Sequence, residues 1–227
     1  GRLLASLDGR RKVGVIGLGA GALITHSREG DQWVFYEIDP SVVDIAAREF
    51  SFQRETKARI EHVLGDGRLA LEREAPRGYD MLAIDAFSGD SIPMHLITRE
   101  AMATYIKHIK PDGAIVFQAT NRFVNLMPVI RRLADEFGMQ TAWVSDWADR
   151  EGEDYYTSPT DQVIVTLHLR PRLYAGITLG QHGVGGHDAQ FDLPLDSGLT
   201  DHVPARVVAS AIALHESLRR VVWPVAG

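Results

Sequence analysis

The stretch that most constrains the fold is a glycine-rich turn between two apolar segments near the start of the chain. Small and apolar residues at 13–16 run straight into residues 17–21, where every second residue is glycine, and a second apolar segment at 33–36 leads into Glu37. A strand, a glycine turn, a helix, a strand and an acid in this order are typical of a nucleoside-binding βαβ unit. Glycine has no Cβ, so the backbone can turn tightly and approach a ligand closely. The alternative is a glycine-rich structural turn in another kind of α/β protein.

The spacing of Gly17, Gly19 and Gly21 distinguishes between two kinds of nucleoside ligand. In the dinucleotide-binding motif the third glycine comes three residues after the second, and that position is Ala22 here. The observed Gly-x-Gly-x-Gly pattern suits an S-adenosyl ligand better than NAD, although the turn has room for a pyrophosphate too. We therefore expect the methionine-like tail of the ligand to pass over these three glycines.

Composition narrows the class of protein. The 227 residues suit one α/β domain, are 45% hydrophobic and carry a net charge of -6 without a basic block, so nucleic acid is not expected as a partner. The absence of cysteine excludes disulfides, thiolate catalysis and cysteine-based zinc sites. No apolar run approaches a membrane span and no signal peptide is visible, which predicts a cytoplasmic chain. Because the first residue is Gly1, we expect a piece of a longer protein, whose other parts could carry membrane segments.

Strand-like and helix-like segments alternate, and this predicts a doubly wound, mostly parallel α/β sheet of seven strands with the last strand antiparallel, a Rossmann-like class I methyltransferase fold. The predicted strands are Val13–Ile16, Trp33–Glu37, Arg59–Leu64, Tyr79–Ile84, Ala114–Ala119, Gln140–Val144 and Gln162–Leu169. The predicted helices are Ala22–Ser27 (or a shorter turn), Pro40–Phe50, Leu69–Glu74, Thr98–Ile109 and Val124–Phe137. Residues 1–170 form the predicted catalytic domain, 171–203 an irregular excursion and 204–227 a C-terminal helix of the same domain.

Acidic residues follow the predicted strands where a ligand is expected. Open α/β sheets bind ligands outside the carboxyl ends of their strands. Glu37 follows the second strand and would accept both ribose hydroxyls, and we count Asp39 with it. Asp66 follows the third strand and would accept the adenine amino group, while Gly67 would leave room for the ring. Asp85 follows the fourth strand. Each acid alone could be a helix cap or a solvated loop residue, but their joint placement favours a nucleoside site.

Five short segments together resemble one known family. They are Val-Gly-Val-Ile-Gly-Leu-Gly-Ala-Gly (13–21), Tyr-Glu-Ile-Asp-Pro (36–40), Leu-Gly-Asp-Gly-Arg (64–68), Tyr-Asp-Met-Leu-Ala-Ile-Asp (79–85) and Leu-Ile-Thr-Arg-Glu (96–100). Over about residues 12–170 the chain resembles the spermidine synthases, the polyamine aminopropyltransferases. The closest likeness is to bacterial spermidine-synthase-like domains, some of which are fused to membrane-spanning segments.

The resemblance implies a reaction and a role for Asp85. In the family, the amine of putrescine attacks the carbon next to the sulfonium of decarboxylated S-adenosylmethionine, and an acid at this position orients the amine or takes its proton. The sequence departs from the family at Ala20 and Ser88, where acids usually stand, and Asp90 could replace the second of these. The small N-terminal β-domain of the family is also absent from this chain. The alternatives are a methyltransferase acting on a small acceptor with S-adenosylmethionine, and a nucleoside-binding domain without turnover.

The remaining candidates concern the acceptor and metals. The resemblance implies that an aromatic residue, Tyr155 or Tyr156, lines the acceptor pocket, and we take Asp90 and Tyr156 as substrate residues. His95 could act as a base or bind substrate, with a solvated or capping histidine as the alternative. We expect a polyamine or another small amine as the partner molecule, and a homodimer is one option. No metal is expected, since His182, His187 and Asp188 match no established ligand spacing, and Asn121-Arg122 read as surface residues rather than as a carboxylate site.

Overall fold

The computed structural model describes residues 2–87, 92–121, 124–146, 160–167 and 187–191, and these contain eight strands of one sheet. The strands are β1 (Lys12–Ile16), β2 (Gln32–Glu37), β3 (Arg59–Leu64), β4 (Tyr79–Ile84), β5 (Ile109–Gln118), β6 (Gln140–Asp146), β7 (Thr160–Thr166) and β8 (His187–Phe191). They are hydrogen-bonded in the order β3-β2-β1-β4-β5-β7-β6-β8. The first five strands are parallel to one another, and β7 is antiparallel to both β5 and β6.

Short helices connect the strands and cover the sheet. The α-helices in the described part of the chain are α1 (Arg2–Ser6), α2 (Pro40–Glu49), α3 (Phe52–Glu55), α4 (Gly67–Arg73), α5 (Arg99–His108) and α6 (Met127–Glu136), and 3₁₀ turns span Ala22–His26 and Met94–Ile97. Side chains cap three of these helices, at Asp39, Asp66 and Thr98. Asp39 accepts a hydrogen bond from the backbone N–H of Ser41, and Thr98 accepts one from Ala101. These caps satisfy N–H groups that a helix leaves unpaired in its first turn.

The sheet is buried on both faces. In β1, Val13 and Val15 pack against one set of helices and Ile16 against the other, because successive side chains of a strand point to opposite faces. One core cluster includes Leu71, Tyr105 and Ile130, from α4, α5 and α6. The second includes residues of α1, α2 and the first 3₁₀ turn. This three-layer arrangement explains why the sequences of β1 and β4 are almost continuously apolar.

The register of the parallel strands brings the candidate acids together. Ile16, near the end of β1, lies opposite Tyr36 of β2 and Ile84 of β4. Glu37, at the end of β2, lies opposite Leu64 of β3. The four strands therefore end at the same level, and the residues that follow them share one edge of the sheet.

The predicted class of fold is confirmed: the first seven strands form a mixed sheet in which the last is antiparallel. The structure also contains β8, which pairs with β6 at the sheet edge and lies inside the segment that the sequence predicts to be irregular. The sequence pattern does not reveal this strand because it is short, its neighbours in the sequence are polar and rich in glycine, and its pairing depends on a partner that is distant in the sequence. The remainder of 171–203 and the predicted C-terminal helix at 204–227 lie outside the described residues, and the domain boundaries stay a prediction.

Several predicted boundaries were wrong by a few residues. The first helix is the shorter of the two alternatives, a single 3₁₀ turn ending at His26. β5 begins at Ile109 rather than Ala114, because residues 109–113 belong to the sheet and the register with β4 shifts there in a bulge. α6 begins at Met127 rather than Val124, which places Pro128 in its first turn, where proline is tolerated. None of the helices in the described segments is long and apolar enough to span a membrane.

Candidate functional site

Residues that follow the first four strands surround one cavity of about 780 Å³. The glycine turn after β1 forms one wall and the ends of β2 and β3 another, while the loop after β4 and the second 3₁₀ turn complete the lining. The polar and glycine residues that line it are Gly17, Gly19, Glu37, Gly65, Asp66, Gly67, Asp85 and His95. The expected edge of the sheet therefore carries a cavity that is large enough for a nucleoside with a short tail.

The glycine turn has a backbone that side chains would not permit. Gly17 has φ +98°, and its N–H donates to the carbonyl of Tyr36 at 2.8 Å. A Cβ at Gly17 would lie 2.5 Å from the carbonyl oxygen of Asp85, which is closer than real Cβ contacts. Gly19 (φ +53°) and Gly21 (φ +78°) are also left-handed. The turn thus touches the backbone of the loop after β4, and it presents the side chains of Leu18 and Ala20 to the cavity.

Glu37 is held in place by the glycine turn. Its side chain is almost fully buried, one oxygen accepts the N–H of Leu18 at 2.9 Å, and the other accepts the N–H of Asp39 at 3.1 Å. A carboxylate has about four acceptor positions, so two hydrogen bonds leave capacity for ribose hydroxyls. Glu37 therefore fixes the shape of the turn and also lines the cavity.

Asp66 caps a helix and pairs with a histidine. Its Oδ1 accepts the N–H of Leu69 at the start of α4 (2.9 Å), and its Oδ2 lies 2.9 Å from Nε2 of His95. Gly67 is buried, and a Cβ there would lie 2.8 Å from Cγ2 of Ile16. Close packing of α4 on β1 thus requires the glycine, in addition to any space needed by a ligand.

Asp85 is the cavity acid with the most perturbed environment. Its N–H continues the sheet by donating to the carbonyl of Ile16 at 2.9 Å. Burial raises the pKa of its carboxyl to about 6, and no charge or hydrogen bond from a described residue opposes that shift. Perturbed carboxyls in a cavity are typical of functional sites. A cation that bound beside Asp85 would favour the ionised form of its carboxyl.

The charged side chains that line the cavity are acidic. Glu37, Asp66 and Asp85 line it, and among its described lining residues there is neither lysine nor arginine, so that His95 is the basic side chain present. A negative cavity attracts cations and disfavours phosphates. The arrangement therefore suits a cationic nucleoside such as a sulfonium and does not suit the pyrophosphate of NAD.

The other predicted site residues fall outside the cavity or outside the described residues. Gly21 does not line the cavity. Asp39 is exposed, caps α2 and does not line the cavity either, so the predicted role of these two residues in ligand binding stays a prediction. Asp90 and Tyr156 lie outside the described residues, as do Ser88 and Tyr155.

The metal and anion candidates gain no support. Within the described segments no three metal-ligating side chains come together. His182 and Arg122 lie outside those segments, and His187 and Asp188 belong to β8. Asn121 uses its side-chain oxygen to accept the N–H of Val124, as is typical of a turn residue.

Sequence reasoning missed the pairing of His95 with Asp66. The two residues are 29 positions apart, so no local periodicity connects them. The signal that could have indicated it is topological: Asp66 follows β3 and His95 belongs to the connection after β4, and both connections lie at one edge of the sheet.

Two curated proteins are similar to part of the chain, and no family model matches it. A polyamine aminopropyltransferase of Vibrio vulnificus (strain CMCP6) is 36% identical over 107 residues, which are 45% of this chain and 35% of that protein. A protein of Mycolicibacterium vanbaalenii PYR-1, provisionally named as an O-methyltransferase, is 30% identical over 118 residues, which are 50% of this chain and 49% of that protein. The chain thus spans about a third to a half of the length of these relatives, both of which are named as transferases.

Solved structures establish the class of fold. A spermidine synthase in complex with the transition-state analogue AdoDATO has a TM-score of 0.60 and 14% identity, covering 96% of this chain and 71% of that one. Human methyltransferase-like protein 13 in complex with SAH has a TM-score of 0.60 and 17% identity, covering 99% and 93%. The chain has the α/β fold of class I S-adenosylmethionine-dependent methyltransferases. Within that class, it is similar to the spermidine synthases in both sequence and structure.

Proposed function

We propose that this chain is the donor-binding and catalytic part of an aminopropyltransferase that uses decarboxylated S-adenosylmethionine. The observation that carries the proposal is the half-buried Asp85 carboxyl, which shares its cavity with Glu37 and Asp66 and has no described partner. Similarity to an aminopropyltransferase and to a spermidine synthase supports this reaction class. The acceptor is a polyamine or another small amine, and the reaction takes place in the cytoplasm, with the protein either free or tethered by segments outside this sequence.

The charge of the cavity supports a cationic donor. Decarboxylated S-adenosylmethionine carries a sulfonium and an ammonium group and no carboxylate, so three carboxylates complement it. Its ribose hydroxyls donate to Glu37, its adenine amino group donates to Asp66, and its tail passes over the turn at 17–21. The solved structures with SAH and with AdoDATO support an S-adenosyl donor.

The reaction is an in-line displacement in which Asp85 handles the attacking amine. An ammonium group has no lone pair, so the acceptor must lose a proton before it attacks. Asp85 binds the amine, orients it and accepts that proton or passes it to solvent. The nitrogen then bonds to the carbon next to the sulfur, the carbon–sulfur bond breaks, and its electron pair returns to the sulfur to leave neutral methylthioadenosine. The sulfonium is already a good leaving group, so positioning supplies most of the rate.

The first experiment measures product formation with the full-length protein and with this chain. We expect spermidine and methylthioadenosine from decarboxylated S-adenosylmethionine and putrescine, and an Asp85→Asn loss in kcat of about 10²- to 10⁴-fold, the usual contribution of a general base. Asp44→Asn, on the exposed side of α2, removes the same charge away from the cavity and serves as the control. No product from the full-length protein would rule out aminopropyl transfer.

The second candidate function is methyl transfer to a small acceptor, and Ala20 favours it. The spermidine synthases usually have an acid at this position that binds the aminopropyl amine, and its loss relaxes the demand for a decarboxylated donor. Calorimetry with both donors separates the two functions: tighter binding of decarboxylated S-adenosylmethionine supports aminopropyl transfer, and tighter binding of S-adenosylmethionine supports methyl transfer. If the chain is instead a nucleoside-binding domain without turnover, Asp85→Asn should keep its affinity for the ligand, and neither the unaltered protein nor the variant should form product.

A further inference from the structure

His95 contacts the acid that we propose for recognition of the nucleoside base. Its Nε2 lies 2.9 Å from Oδ2 of Asp66, and both residues line the cavity. We propose that His95 is a positioning residue that holds the Asp66 carboxylate in the orientation that selects a 6-aminopurine over a 6-oxopurine. This inference rests on the proposed function, since it concerns the base of the same donor.

The carboxylate of Asp66 is held from two sides. The N–H of Leu69 donates to Oδ1 at 2.9 Å, and the capped helix fixes that oxygen. A carboxylate can only accept hydrogen bonds, so Nε2 of His95 must carry the hydrogen that reaches Oδ2. With both oxygens engaged, the carboxylate cannot rotate, and its remaining lone pairs have fixed directions. An amino group can donate to them, whereas a 6-oxo group brings only lone pairs and is repelled.

The backbone of the turn that carries His95 is held in place by two neighbouring helices. Arg68, on α4, donates from Nη1 to the carbonyl of His95 at 3.0 Å, and its Nε pairs with Glu72 at 2.8 Å. The hydroxyl of Tyr105, on α5, donates to the carbonyl of Leu96 at 3.1 Å. Two helices therefore fix the 3₁₀ turn at 94–97, and the His95 side chain reaches Asp66 from a defined position.

The contact also joins two sides of the cavity. Asp66 stands where the base is proposed to bind, and His95 belongs to the segment that follows the Asp85 loop. The chain between them includes α4 and β4, so the side-chain contact directly joins two parts of the cavity lining that are distant in sequence. Removing it is expected to affect recognition of the base more than the chemistry at Asp85.

The experiment compares two probe ligands, methylthioadenosine and methylthioinosine, by calorimetry. We expect His95→Ala to weaken binding of methylthioadenosine about tenfold, the usual effect of one hydrogen bond to a charged group, and to reduce discrimination against methylthioinosine. His95→Gln should restore both, because its amide N–H₂ can donate to Oδ2. Met94→Ala is the matched control, since Met94 is exposed on the same turn and does not line the cavity.

A double-variant cycle tests whether His95 acts through Asp66. Asp66→Asn keeps the helix cap, because asparagine caps as well as aspartate, and it should lower the affinity for methylthioadenosine. Adding His95→Ala to it should change nothing further. If the two substitutions lower the affinity additively, or if His95→Ala discriminates against methylthioinosine as well as the unaltered protein does, the role of His95 is overturned but the proposed nucleoside site is not. Failure of the unaltered protein to bind methylthioadenosine would instead overturn the proposed nucleoside site and this inference with it.

Discussion

At the scale of single residues, Asp85 illustrates how a site costs stability. Its pKa is raised from 3.8 to about 6 because burial disfavours the charged carboxylate. Between these two values the folded state binds more protons than the unfolded state, so the free energy of unfolding falls as the pH rises through that window. Above pH 6 the folded protein holds an ionised carboxylate in a poorly solvated environment, which suits the base that we propose for the amine.

We predict that Asp85→Asn stabilises the protein at neutral pH. The neutral amide removes the cost of the buried charge, and the gain should be roughly 1 to 3 kcal/mol at pH 7.5. The gain should disappear near pH 4, where the wild-type carboxyl is protonated. Urea unfolding at both pH values measures it, with Asp44→Asn as the control. A variant that is less stable than the wild type at pH 7.5 would contradict the desolvated environment.

The same shift predicts the pH dependence of the reaction. In the proposed reaction Asp85 must be ionised to bind and deprotonate the amine, so kcat/KM should rise with pH through about 6 in the free enzyme. In Asp85→Asn this rise of kcat/KM should be absent, while any pH dependence that comes from ionisation of the amine itself should remain. If the variant shows the same rise of kcat/KM near pH 6, the titrating group is not Asp85.

The sequence indicated which acids lie at the cavity but not the hydrogen bonds that hold them there. Glu37, Asp66 and Asp85 line one cavity as expected, because parallel strands in register end at one edge. Their hydrogen bonds were not predictable: Glu37 holds the N–H of Leu18, and Asp66 pairs with His95. Those contacts depend on where loops fold in three dimensions, and a single sequence contains no spacing that reports it.

At the scale of elements, the glycine turn has the strictest requirements. Gly17 combines a positive φ with a backbone contact that leaves no space for a methyl group. We predict that Gly17→Ala destabilises the protein by more than about 2 kcal/mol, the order expected for a strained backbone with a steric conflict, and abolishes nucleoside binding.

Gly9 offers a matched comparison for that substitution. It also has a positive φ, +69°, but a Cβ there would meet no atom within 4 Å. Gly9→Ala should therefore cost only about 1 kcal/mol and leave nucleoside binding unchanged. Urea unfolding and calorimetry with methylthioadenosine measure both properties. Equal losses in the two variants would mean that φ, and not the contact with the Asp85 loop, sets the requirement at Gly17.

Elements with strong local patterns were predicted well, and those that depend on distant pairing were not. β3 and β4 have the predicted bounds, and Thr98 caps α5 as expected, because apolar runs and capping residues act locally. The short 3₁₀ turn at 22–26 replaces a longer helix, since the turn at 28–31 follows so soon. β8 exists through its pairing with β6, which no local pattern could indicate.

At the scale of the whole molecule, a buried ion pair fastens the N-terminal helix to the edge of the sheet opposite the cavity. Arg11 donates from Nε to Asp31 at 2.9 Å, from Nη1 to the carbonyl of Leu4 at 2.7 Å, and from Nη2 to the carbonyl of His26 at 3.0 Å. Burial alone would raise the pKa of Asp31, but hydrogen bonds from Arg11 and Arg28 hold it below the usual value. The pair thus connects α1, β2 and the first 3₁₀ turn.

We predict that Arg11→Met destabilises the protein by about 3 to 5 kcal/mol, because it leaves the Asp31 carboxylate buried without its partner. Nucleoside binding by the folded fraction should be unchanged, since the pair and the cavity lie at opposite ends of β1. Arg10→Met, a neighbouring exposed arginine, is the control. Urea unfolding and calorimetry are the measurements. A loss of affinity in the folded Arg11→Met protein would show that the two edges are coupled.

The contact between Gly17 and the Asp85 carbonyl has a consequence for how such transferases diversify. The backbone of the glycine turn packs directly against the backbone of Asp85, so a shift of one requires a shift of the other. Variation in chemistry is then expected in the side chains that project from this rigid frame. One inherited frame can therefore serve different acceptors, and even different transferred groups, through a few exchanges such as the alanine at position 20.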